Sequence, residues 1–310
     1  MNRLFPILLF LVLALPQSQL FSGETKNQND DVVAIVNGKK ITKDVLINRM
    51  KNFVNTDPET LSAIKQEIID QLITDTLLEE FIDKQGLVVA QEEIENEVTQ
   101  IRKNIRGDPK NTIQSLEQVL AFIGSNINEF KKSVKHSIAL EKYFNNKLDD
   151  NTLKKYFKEN KSVFNGESVK VSHILIDTRK MKTKEELSHA QEQIKNIKKE
   201  IDDGADFNEI ARKYSNCPSA INGGDLGYIQ RKGNFAKQFL DTAFSLGVDQ
   251  ASEPVQTEYG YHLIKVTDKK EGSNVQFEDV RKKVRLEALD AEILKLLDRL
   301  RKEAQVVVSQ

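Results

Sequence analysis

His173 and His262, the only cysteine and a cluster of glycines fall within one stretch, Val169 to Val266. It opens with Val169-Lys170-Val171-Ser172-His173-Ile174-Leu175-Ile176, an alternating run suited to a strand. Gly204-Ala205-Asp206-Phe207-Asn208-Glu209-Ile210-Ala211 follows an amphipathic segment, and then come Tyr214-Ser215-Asn216-Cys217-Pro218-Ser219-Ala220 and Gly223-Gly224-Asp225-Leu226-Gly227-Tyr228. The stretch closes with Pro254-Val255-Gln256-Thr257-Glu258-Tyr259-Gly260-Tyr261-His262-Leu263-Ile264-Lys265-Val266. Such residue types can hydrogen-bond, ligate a metal or attack a carbonyl, but their spacing matches no such pattern. There is no H-E-x-x-H, Ser-His-Asp set, metal cluster or carboxylate pair, and the glycine-rich turn lacks the order of a phosphate-binding loop. A thiolate at Cys217 would need a neighbouring cation, and no basic residue adjoins it. The spacings alone fix no reaction, and they imply neither a metal nor a cofactor.

These motifs, in that order, resemble the parvulin family of peptidyl-prolyl cis/trans isomerases. The bond such enzymes act on rotates over a barrier of roughly 18–20 kcal/mol, because resonance stiffens the C–N bond. A catalyst must bind the twisted amide better than either planar form. That requires an apolar slot for the proline ring, a dry setting and a few hydrogen-bonding groups around the amide. No nucleophile and no proton exchange are needed.

The resemblance also implies a site. His173 and His262 match two family histidines on neighbouring central strands that share a hydrogen bond, and Thr257 matches a hydroxyl beside them. Cys217 stands where some members carry cysteine and others aspartate. These four form the expected catalytic set. The histidines have two readings, a direct part in catalysis or a tautomer-fixed pair that holds the sheet. Cys217 likewise either shapes the field at the twisted carbonyl or is a small buried hydrophobe. Leu226, Phe235 and Phe239 match the wall of the proline pocket, with Phe235 in place of a common Met, and Tyr259 falls at a substrate contact. The loop from Asp177 to Lys184 is short, with Arg179, Lys180 and Lys182 scattered in it, so no phosphate preference is expected.

The elements around this stretch are mostly helical. Val32 to Val36 reads as a strand, Asn37-Gly38 as a hairpin turn and Lys39 to Ile41 as the return, with Thr42 placed to cap a helix. Ala34 to Thr42 resembles the opening of SurA-type chaperone domains. Apolar residues then step by three or four from Glu59 to Gln85, ending at Gly86. Further stripes are Ile94 to Ile105, stopped by Gly107-Asp108-Pro109, and Leu116 to Ile123, stopped by Gly124. In the next, Ile127, Phe130, Val134, Ile138 and Tyr143 share a face. A short helix from Asn151 to Asn160 leads to a hinge at Phe164-Asn165-Gly166. A last helix begins at Phe277, and Ala304 to Val308 is a terminal strand that needs a partner, for which Val32 to Val36 is the best candidate.

The chain of 310 residues suits two domains, and 46 basic against 47 acidic residues give no reason to expect a nucleic-acid partner. A single cysteine excludes an intrachain disulfide. Asn2-Arg3, the apolar run Leu4 to Leu15 and the polar exit Pro16-Gln17-Ser18 read as an export signal, too short to span a bilayer comfortably. The expected fold is therefore α+β: a helical SurA-type domain composed of N- and C-terminal segments, with an inserted parvulin-like domain of small antiparallel sheet and surrounding helices. Its parts are a signal peptide over 1–23, a tether over 24–31, the chaperone domain over 32–165, the isomerase domain over 166–270, and a returning helix and strand over 275–310. The expected function is a periplasmic folding factor that holds unfolded, newly translocated or outer-membrane polypeptides and isomerises X-Pro bonds. The alternatives are a parvulin domain reduced to peptide binding or spacing, and an uncleaved signal anchoring the protein to the inner membrane. Oligomeric state leaves no trace in these patterns.

Overall fold

The computed structural model describes residues 31–53, 56–106, 115–123 and 125–309. The expected signal, the tether up to Asp30 and the helix stops at 107–109 and Gly124 lie outside those residues. In chain order the elements are β1 (Val32–Val36), β2 (Lys39–Thr42), α1 (Lys43–Met50), α2 (Pro58–Lys84), α3 (Gln91–Arg106), α4 (Leu116–Phe122), α5 (Ile127–Asn145), α6 (Asp150–Glu159) and α7 (Lys161–Phe164). There follow β3 (Ser168–Asp177), α8 (Lys184–Asp202), α9 (Phe207–Tyr214), β4 (Asp225–Gln230), α10 (Lys237–Ser245), β5 (Val255–Thr257), β6 (Gly260–Lys270), α11 (Phe277–Glu303) and β7 (Val306–Val308). The chain forms two compact units, one up to Leu153 and again from Arg285, the other Lys154–Val284. The boundaries fall inside α6 and α11, and Phe164-Asn165-Gly166 lies within the second unit.

The first unit is closed by the two ends of the chain. Asn37 and Gly38 both take positive φ, 49° and 86°, as a two-residue hairpin between right-twisted strands requires. β7 pairs antiparallel with β1 on the side away from β2, with Ala34 opposite Val308 and Val36 opposite Val306. The Asn37 N–H donates to the Gln305 carbonyl at 2.9 Å, and the Gln305 N–H returns to the Asn37 side-chain oxygen at 2.9 Å. Apolar side chains of this sheet bury against Leu46, Ile69, Leu72 and Ile73, with Leu300 and Val306 packed on the same cluster. Thr42 does precede α1, but its hydroxyl makes no capping bond. α2 is capped by Asp57, whose carboxylate accepts from the Thr60 N–H at 3.0 Å, with Pro58 in the first turn.

α5 departs from its expected stripe. Its buried residues are Phe130, Val134, His136, Ser137, Ala139, Leu140 and Phe144, while Ile127, Ile138 and Tyr143 are half-buried. The buried face therefore includes polar groups that a purely apolar count passes over. His136 is 1% exposed, with Nδ1 3.9 Å from Asp75 Oδ1 and Nε2 3.9 Å from Glu79 Oε1. Burial, aided by Lys135 and Lys132, pushes its pKa down to about 4, so at neutral pH these approaches are not ion pairs. Burial pushes Asp75 up to about 6 against the pull of Arg49, whose Nη2 lies 3.2 Å away and also meets Glu129 at 2.5 Å.

The two shifts act on stability with opposite signs. Asp75 is raised from 3.8, so the folded state binds that proton first and gains stability as pH falls from about 6 to 3.8. His136 is depressed from 6.5, so stability is lost as pH falls from 6.5 to about 4. Over the shared window they largely cancel. Relative to the intact chain, His136→Gln should make the thermal midpoint rise on going from pH 7 to 5, and Asp75→Asn should make it fall. Parallel pH profiles for the two variants would contradict this.

The second unit carries a four-stranded antiparallel sheet in the order β4-β3-β6-β5. Period-two alternation divides its side chains. Val169 and Val171 of β3 and Ile264 and Val266 of β6 pack on Phe239, Leu240, Ala243 and Phe244 of α10. Ile174, Ile176 and Leu263 face the other way, onto Ala190, Ile194 and Ile197 of α8 and Phe207 and Ile210 of α9. α8 begins with a reciprocal cap: Glu186 N–H donates to Thr183 Oγ1 at 3.1 Å, and Thr183 N–H donates to Glu186 Oε2 at 2.9 Å.

Candidate active site

Counting by two from Val169 and Val171 brings His173 to the α10 side of the sheet, and counting back from Val266 and Ile264 brings His262 there. Strand register then makes them diagonal neighbours, since Leu175 lies opposite His262 and His173 opposite Ile264. Their Nδ1 atoms are 3.4 Å apart and their rings nearly parallel, 21° between planes. Both are buried, at 6% and 5% exposure. The ring of Phe239, 2% exposed, stands nearly perpendicular to both at centroid distances of 5.7 and 5.5 Å. Phe235 stacks on Phe239 at 5.3 Å, and Leu226 packs on the same cluster. Thr257 Oγ1 is 2.7 Å from His262 Nε2 and accepts the Tyr259 N–H at 3.1 Å.

This is a dry, uncharged chain. Burial holds both imidazoles down at about 4; for His262, His173 adds to the lowering and Asp177 opposes it. At neutral pH each ring has one N–H and one lone pair, so one Nδ1 donates across the pair and the other accepts. The arrangement can offer and accept hydrogen bonds at an amide beside an aromatic wall.

Cys217 arrives by another route. β4 accompanies β3 only as far as Ser172, leaving the later backbone groups of β3 to find other partners. The segment after α9 supplies them. Leu175 N–H donates to Ser215 Oγ at 3.1 Å, Asn216 N–H to the Leu175 carbonyl at 2.8 Å, and Asp177 N–H to Asn216 Oδ1 at 2.9 Å. Ser215 Oγ also accepts the Cys217 N–H at 3.3 Å, which fixes where the half-buried cysteine begins the 3₁₀ turn Pro218–Asn222. The glycine-rich turn after it is shorter than its composition suggests, because Asp225 already belongs to β4; Gly223 and Gly224 make the turn, and Gly227 keeps a positive φ of 71° within the strand. Gly224 has φ 81°, and a Cβ there would fall 2.3 Å from the His173 carbonyl oxygen. Gly260 is equally constrained: at φ 138° its Cβ would meet the Ile176 carbonyl at 2.1 Å.

His173, His262, Thr257, Phe235 and Phe239 thus form one connected group, with Leu226 in its wall. Tyr259 lies at the exposed rim, where the Arg179 guanidinium sits 5.4 Å over its ring. Ser215 and Asn216 are not singled out by sequence reasoning. They lie within one of the quoted motifs, but their service as a substitute strand depends on register.

Residues 152–270 match the family model described as the PPIC-type PPIASE domain, and residues 2–144 match the one described as the SurA-like N-terminal domain. The chain therefore joins a parvulin-type peptidyl-prolyl cis/trans isomerase domain to a SurA-like N-terminal domain. Among curated proteins it is similar to the foldase protein PrsA of Clostridium botulinum (strain Loch Maree / Type A3), 28% identical over 304 residues, covering 89% of this chain and 87% of that one. It is 40% identical over 166 residues to the foldase protein PrsA of Geobacillus sp. (strain WCH70), covering 52% and 54%. A solved structure of the PrsA peptidylprolyl isomerase from Bacillus anthracis matches with a TM-score of 0.44 and 26% identity, over 76% of this chain and 96% of that chain.

Ser215→Ala would strand the Leu175 N–H, at a cost of about 1–3 kcal/mol. Gly224→Ala, which forces backbone apart at His173, should destabilise the chain more than Ser215→Ala in chemical denaturation. The reverse order would contradict the placement of the 215–224 segment.

Proposed function

We propose that this chain is an exported folding factor that holds unfolded, newly translocated polypeptides in its helical domain and isomerises their X-Pro bonds at the His173–His262 site. The observation that carries the reading is the uncharged His173–His262–Thr257 chain against the Phe235–Phe239 wall. The aromatic wall and Leu226 take the proline ring, which excludes water from the adjoining amide. As the C–N bond twists, resonance is lost and the carbonyl becomes more ketone-like, while the nitrogen lone pair localises. Neutral hydrogen-bonding groups can meet that altered amide without the desolvation cost of a charge. Thr257 holds the His262 ring by its Nε2, and His173 holds it by Nδ1, so the cluster is set before substrate arrives. Cys217, half-buried on its docked loop, borders the carbonyl and tunes the local field; no covalent step is required. Tyr259 covers the substrate at the rim.

Export is supported by the basic start and apolar run at the N-terminus. Among the described residues no helix is long and apolar enough to cross a membrane. The compartment proposed is the periplasm, with outer-membrane polypeptides among the clients, on the resemblance to SurA-type chaperones. The chemistry asks no more of a client than exposed backbone, apolar side chains and proline.

The test is isomerisation of a short X-Pro peptide by the intact chain and by a Phe235→Ala, His262→Ala double variant. Acceleration by the first, reduced at least tenfold in the folded variant, is the expected result. A folded intact chain with no acceleration would remove the isomerase reading and leave client holding, assayed by suppression of aggregation. Mass spectrometry of the secreted protein should find an N-terminus past the apolar run; an intact Met1 would point to an anchored form.

A further inference from the structure

Asp177 ends β3 between the two loops that frame the site. Its N–H is tied to Asn216, one residue before Cys217, and it lies opposite Gly260, one residue after Tyr259. The next residue fastens the same corner, with Thr178 N–H donating to the Tyr259 carbonyl at 3.1 Å. The Asp177 carboxylate is near enough to His262 to act on its proton affinity. It is also occupied. Arg179 donates to it from its backbone N–H at 3.0 Å, from Nε at 3.0 and 3.1 Å to the two oxygens, and from Nη2 at 2.5 Å. That fork lays the guanidinium over Tyr259. Lys180 acts on the same carboxylate, and the fork keeps the carboxyl below its ordinary range.

We infer that Asp177 sets the charge selectivity of the isomerase site, by withholding the Arg179 guanidinium from the substrate residue that precedes proline. This rests on the isomerase reading and adds a substrate preference to it. Phe239 meets the His262 ring and carries Phe235 against its own, while Thr257 bonds His262 Nε2, the Tyr259 N–H donates to Thr257, and Arg179 lies over the Tyr259 ring. With the proline ring on the aromatic side, the X side chain, one Cα from the rotating amide, is the first substrate group to reach the Tyr259 rim. An unpaired guanidinium there would favour an acidic X. A carboxylate already holding two of its nitrogens both neutralises it and fixes its direction. The pair therefore leaves the rim indifferent to the charge of X.

The experiment compares kcat/KM of the intact chain on two peptides that differ only in X, Glu against Gln. The wild type should treat them alike, within about twofold. Asp177→Asn keeps an oxygen to orient Arg179 but removes the charge, and should raise the Glu-to-Gln ratio about fivefold, the scale of one partly screened charge. Arg179→Gln frees the carboxylate and should lower the ratio by a similar factor. The double variant should return to the wild-type ratio, and added salt should shrink both single effects. A merely structural role would slow both peptides equally and leave the ratio alone. Unchanged ratios in both single variants, or a wild type that already favours Glu tenfold, would overturn the inference while leaving the isomerase reading intact. Turnover of neither peptide by the wild type would overturn both.

Discussion

Two imidazoles buried face to face between β3 and β6 are the constraint on which the isomerase unit depends. Charging either ring in that place would set a cation in an apolar wall beside a second base, so both must remain neutral and hydrogen-bonded to one another. Neutrality needs dryness, and dryness needs Phe239 and the stacked Phe235. It also needs close backbone approach on both sides. Gly224 lets the loop after Cys217 lie against His173, and Gly260 lets the turn before His262 lie against Ile176. A side chain at either glycine would drive the loops off the strand. The catalytic proposal follows from the same economy of charge: a twisting amide changes its hydrogen-bonding needs but not its net charge, and the site that meets it has none.

The helical unit solves a different problem with a similar device. Its terminal strands close a small sheet, and the apolar faces of α2 and α11 supply much of the packing. Within it, however, α5 buries His136 and Ser137, and His136 lies 3.9 Å from both Asp75 and Glu79. The His136 ring nitrogens and the Ser137 hydroxyl have no hydrogen-bond partner among the described residues, so their burial is costly. Arg49 couples α1, α2 and α5 through charge rather than through shape alone.

Much of this was legible from residue order. Alternation in Val169–Ile176 and Tyr261–Val266 marks two strands with a histidine on the core face of each, and the helical stripes locate α2, α3 and α11 to within a few residues. The terminal strand at Val306 announces its need for a partner, and β1 is the partner found. What order did not reveal is whatever depends on register between distant segments. Ser215 and Asn216 read as ordinary loop polar residues until β3 lies beside them with unpaired backbone groups. Asp177 and Arg179 read as scattered loop charges until the corner folds and brings Tyr259 beneath the guanidinium. The buried face of α5 differs from its stripe because apolar residues alone define the stripe, while His136 and Ser137 are also buried on it.

The most direct measurement is the protonation of His173 and His262 in the intact chain, followed by ¹⁵N resonances of the imidazole nitrogens as pH is lowered from 7 to 5. Both rings should stay neutral throughout, each with one protonated and one bare nitrogen. A ring that takes up a second proton with a midpoint near the ordinary histidine value of about 6.5 would show a wet, chargeable site and contradict the dry pair.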